Sequence, residues 1–123
     1  MRSLRTLCSR LVGQMDMWMA AIQSRPYDFA VEQDESAASL QERFDRVAPA
    51  FTAEVESVIA RGMLGDTFVD ALRDPAEVYT YGGMVAHVLN FSAYRRTLAV
   101  LRLRQLGDDE LGWGDPMTFV AEA

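Results

Sequence analysis

Lysine is missing from this chain: all twelve basic residues are arginine. A coding bias explains that more simply than a demand for guanidinium groups. One cysteine, Cys8, excludes an internal disulfide and fits a reducing compartment, so the cytoplasm is the expected location. Its place on an apolar helical stripe makes it a packing residue before a reactive one. One histidine, His87, excludes a zinc site built from imidazoles alone. No apolar run approaches the eighteen residues that a membrane span needs, and no dense basic run offsets the net charge of −6, so neither a membrane nor nucleic acid is an expected partner. The HExxH, CxxC, GxSxG and P-loop signatures are also missing.

What remains describes one helical domain over residues 1–123. Half of the residues are hydrophobic, enough for a real core at this length. Leu4, Leu7, Cys8, Leu11, Met15, Trp18 and Ile22 recur at three- and four-residue steps and predict a helix over 3–24, ended by Arg25-Pro26. The early arginines of this segment suggest a targeting signal, but Gly13, Gln14 and Asp16 break its apolar stretch, so it reads as part of the fold.

Leu40, Phe44, Val47, Phe51, Val55 and Val58 predict a second helix over 36–62, opened by Ser36 or by Ser39 with Glu42. Pro49 falls inside it, where a kink is expected because the stripe keeps its phase across the proline. Residues 63–79 change to alternating and β-branched character, which predicts a short hairpin or extended arm. Thr80 caps a third helix over 80–106, which Gly107 stops. The tail is expected to loop back and pack Trp113 or Phe119 on the body. The fold class is therefore all-α, an up-down bundle of three main helices.

On the third helix, Met84, Val88, Phe91, Leu98, Ala99 and Leu106 share one side, and Arg95 falls among them. A buried, unpaired guanidinium costs several kcal/mol, so Arg95 pairs with an acid, binds an anion, or reaches water along its stem. Glu42, Asp45 and Glu54 are the candidate acids. His87 sits on the edge of the same face, where a hydrogen-bonded structural role is the commoner one.

The segment from Ala86 to Arg96, AHVLNFSAYRR, preceded by Thr80-Tyr81-Gly82-Gly83, resembles the third-helix signature of the DinB-like proteins. The similarity continues through Leu40 to Asp45, Asp66 to Asp70 and Gly112 to Pro116. This superfamily of four-helix bundles includes metal-dependent enzymes and mycothiol- or bacillithiol-dependent transferases. Its members place three histidines around a divalent metal, and the resemblance puts Arg10, Phe91 and Arg95 at those positions. None can ligate, because a guanidinium has no lone pair and a phenyl ring no donor. His87 matches a further histidine that members carry one turn before the ligand pair.

The resemblance thus implies a bundle without metal or other cofactor, either non-catalytic or binding a small anion through Arg10, His87 and Arg95. The alternative is a thiol- or metal-dependent transferase or hydrolase of small molecules, drawing ligands from His87 with Glu42 or Asp45. It also implies that the chain begins at the family's second helix. Three helices leave an apolar groove, which a partner chain would close, so a homodimer is expected; a shortened product of a longer gene is the other reading.

Overall fold

The computed structural model describes residues 3–110, with Gly112 and Met117. Trp113 and Phe119, expected to fold back on the body, lie outside the described residues. Three helices, α1 (Leu4–Ile22), α2 (Ala37–Ala60) and α3 (Tyr81–Gln105), are joined by a single 3-10 turn at Phe29–Glu32 and a hairpin of β1 (Thr67–Asp70) and β2 (Glu77–Thr80).

Each helix starts and stops for a local reason. Ser3, Ser36 and Thr80 are N-caps whose hydroxyl oxygens accept from the backbone N–H three residues on, satisfying a donor that the first turn leaves open. α2 ends with Gly62 in the left-handed region, where Met63 N–H reaches the Val58 carbonyl at 2.9 Å and Gly62 N–H reaches Ile59 at 3.0 Å. Gly107 closes α3 in the same way through Asp108 and Leu103. In α1 the left-handed position is taken by Ser24, directly before Arg25-Pro26. Pro49 lies within α2, which continues unbroken through it.

The helices do not alternate in direction, which corrects the up-down order expected. Ser9 lies beside Arg43, Asp16 beside Arg43 and Arg46, and Trp18 and Met19 in one cluster with Phe51, so α1 and α2 run parallel. Gln14 meets Ser92 and Trp18 meets His87, so α3 runs antiparallel to α1. The chain returns from the foot of α1 to the head of α2 through residues 23–36. Fourteen residues span at most about 50 Å when extended, ample for a helix of 19 residues that is roughly 29 Å long.

α1 is the central helix: it packs on both α2 and α3, whereas α2 and α3 share little contact. The core cluster gathers Trp18, Met19, Phe51, Phe68, Met84 and Val88 at the end of the molecule near the hairpin. Phe68 and Tyr79 face each other across the strands and both set their edges against Trp18, at 6.1 and 5.7 Å between ring centroids. The structure is thus mostly helical, and the segment expected as a short hairpin or extended arm forms a two-stranded antiparallel sheet.

Candidate functional site

α3 carries His87, Phe91 and Arg95 at four-residue spacing, one stripe of the helix. Opposite it on α1 is Gln14, only 1% exposed. Its amide nitrogen donates to the Ser92 hydroxyl at 2.5 Å and lies 3.5 Å from the Val88 carbonyl oxygen. Its amide oxygen accepts from Arg95 Nη1 at 2.7 Å. The Arg95 guanidinium also lies over the Phe91 ring, 5.3 Å from its centroid. The interior partner of Arg95 on α1 is therefore a neutral amide, in place of the α2 carboxylates Glu42, Asp45 and Glu54.

His87 rests between two rings, Trp18 at 5.5 Å and Phe91 at 4.7 Å. Burial of the imidazole lowers its proton affinity below the ordinary 6.5, and the positive charges of Arg95 and Arg73 push it in the same direction. The ring therefore takes up a proton less readily than a free imidazole. Trp18 Nε1, buried beneath it, has no hydrogen-bond partner among the described residues.

Arg10 is not part of this group. It turns away from Arg95 toward the returning segment, where Nη1 pairs with Glu32 Oε2. Of the three positions that the resemblance selects, Phe91 and Arg95 stand together, and the α1 side chain that meets them is Gln14. A sequence signal existed for it: Gln14 lies seven residues after Leu7 and four before Trp18, in line with the apolar stripe.

A second polar group lies beneath the returning segment. Arg43 Nε and Nη2 bond both oxygens of Glu35 at 2.9 and 2.8 Å, Nη2 also reaches the Ser9 carbonyl, and Nη1 reaches the Tyr27 hydroxyl at 3.3 Å. Asp16 lies within 3.6–4.0 Å of Arg25, Arg43 and Arg46. Arg43 and Ser9 hold the Glu35 carboxyl below its ordinary range despite burial. Burial pushes Tyr27 up to about 12, with the Glu32 carboxylate adding to it. The Arg43 and Glu35 charges are matched at close range, which is the pattern of a structural clamp.

Neither group offers a metal the donors it needs. The stripe contributes one imidazole beside an arginine and an amide, and among the described residues no three His, Cys, Asp or Glu side chains cluster as a metal site requires. No described helix is long and apolar enough to cross a membrane. Compared with family models, curated proteins and solved structures, the chain matches none.

Proposed function

We propose that this chain is a non-catalytic binding module, a DinB-like bundle whose metal seat has been given over to packing. The observation that carries the reading is the place of Arg95: its guanidinium bonds the buried Gln14 amide at 2.7 Å and covers Phe91, at the position where the resemblance calls for an imidazole. Polar groups so engaged stiffen the contact between α1 and α3. Titration with zinc or nickel in a calorimeter tests it: the expected result is no stoichiometric uptake, and a tight one-to-one site would overturn the reading.

A second reading, a small anionic ligand beside His87 and Arg95, is supported by the electrostatics of the imidazole. Arg95 and Arg73 both disfavour a proton on it, which describes a positive field there. Carboxylate and phosphate compounds should then bind the wild type and lose affinity in Arg95→Met. Equal binding by both proteins would remove the anion reading and leave the packing role.

A further inference from the structure

Asp16 draws three arginines and, among the described residues, hydrogen-bonds none of them. Arg25 Nη2 stands 3.6 Å from its carboxylate, Arg43 Nη1 3.7 Å and Arg46 Nη2 4.0 Å, all beyond the roughly 2.7–3.2 Å of a hydrogen bond. In the same network Arg43 closes on Glu35 at 2.8 Å, so the guanidinium groups around Asp16 keep donors unspent. Among the described residues the Arg46 side chain makes no hydrogen bond, and that of Arg25 makes one, to Gln23 at 2.8 Å.

Charge is left over as well. Arg43 is matched by Glu35 and Arg10 by Glu32, so Asp16 alone faces both Arg25 and Arg46. Among the described residues no other carboxylate lies within ion-pair distance of either. Two guanidinium groups against one carboxylate make a single positive surplus on a chain of net charge −6. Both heads meet solvent, their side chains being 42% and 65% exposed.

A hollow of about 270 Å³ adjoins them, between the end of α1 and the hairpin loop, lined by Ala20, Ala21, Arg25, Pro26, Ala71 and Leu72. Ala20 is one turn beyond Asp16 on the same face of α1. The Arg25 backbone N–H donates to the Ala20 carbonyl at 2.9 Å while its Nη2 stands beside Asp16, so the arginine stem joins the hollow to the charged end. The hollow is smaller than the roughly 300 Å³ at which sites for drug-sized ligands begin, which limits the occupant to a short apolar body. One surplus positive charge selects a singly charged head; a phosphate monoester, at about −1.5 to −2, would overshoot it.

We propose that Arg25 and Arg46 bind the carboxylate of a short aliphatic acid whose chain lies in the hollow between Ala20, Pro26 and Leu72. This site is distinct from the group at His87 and Arg95, because Asp16 follows Gln14 by two residues, about 200° around α1. It stands whether or not an anion also binds there.

Amide NMR of the full chain, titrated with sodium butyrate at millimolar concentrations, tests it. Saturable shifts are expected at Ala20, Arg25 and Leu72, with tighter binding than acetate or inorganic phosphate, and none with butanol. Arg46→Gln should raise the butyrate dissociation constant about tenfold or more, and Arg25→Gln should do the same. Ala71→Phe, which fills the hollow, should erase the preference for butyrate over acetate, a change that loss of a merely structural ion pair would not give. Arg95→Met should leave butyrate binding unchanged, which separates this site from the anion reading above. The dispersion of the amide spectrum checks that each variant folds, and the two arginine variants stand in for each other if one does not. No saturable shift with butyrate, equal binding by the arginine variants, or tighter binding of phosphate than of butyrate overturns the proposal.

Discussion

Arg43 grips Glu35 with two parallel hydrogen bonds, 2.9 Å from Nε and 2.8 Å from Nη2, although eight positions of the chain separate them. Both side chains are almost wholly out of water. Glu35 sits at the end of the segment that returns from α1, so this pair fixes where α2 begins along α1. The planar guanidinium suits the task because its fork matches a carboxylate in two places at once.

Removing one partner strands the other. Arg43→Met should destabilise the fold by about 3–5 kcal/mol in urea unfolding, because a buried carboxylate loses its counter-charge. The double variant Arg43→Met, Glu35→Leu should recover most of that loss. A single variant as stable as the wild type would show that water reaches Glu35.

The same pair sets the acid response. The folded pKa of Glu35 lies below the ordinary 4.5, so its contribution is present above pH 4.5 and is lost as pH falls through the depressed value. Stability should therefore fall more steeply with acid in the wild type than in Glu35→Gln. Parallel curves for the two proteins below pH 4.5 would contradict the assignment.

Gly13 admits the Glu32 carboxylate against α1. A Cβ at this position would fall on Glu32 Oε1 and within 3.2 Å of the Tyr27 hydroxyl. Gly13→Ala should cost about 1–3 kcal/mol, despite alanine's better helix propensity, and Glu32→Ala in the same chain should relieve the clash. Thermal unfolding of the two variants measures both effects.

The sole histidine reports on its own surroundings. Its imidazole signal in proton NMR should titrate with a midpoint below 6.5, and Arg95→Met should move that midpoint upward by removing one positive neighbour. The depressed folded pKa means that stability is full above 6.5 and falls as pH drops from there toward the folded value. A midpoint at or above 6.5 would refute the ring environment described for His87.

Gln14 should be coupled to Arg95. Gln14→Leu removes a buried acceptor and donor together and should cost about 1–3 kcal/mol. A double-mutant cycle with Arg95→Met should return a coupling of about 0.5–3 kcal/mol. Additive losses would mean that the 2.7 Å bond contributes nothing of its own.

The helices were legible because their signals are local. Apolar residues at three- and four-residue steps, Ser36 and Thr80 as caps, and Gly107 as a stop act within a turn or two of chain, and α1, α2 and α3 fall within one or two residues of the limits read from them. The inward place of Arg95 was legible too, since helical phase alone puts it beside Met84 and Val88. Arg43 was not. It lies among Leu40, Phe44 and Val47, yet a charge there reads as solvated until Glu35, Ser9 and Tyr27 are known to surround it.

The amino-acid order by itself determined where each helix starts and ends, which face of it is apolar, and which residue types could never ligate a metal, since these follow from backbone hydrogen bonding, helical period and side-chain chemistry. Tertiary structure alone decided that α2 runs parallel to α1, that Gln14 and not Arg10 meets Arg95, and that α2 and α3 stand apart over α1. Each of these depends on residues far apart in the chain. Their pairing is set by the minimum of burial and charge energies over the whole molecule, which no local stretch encodes.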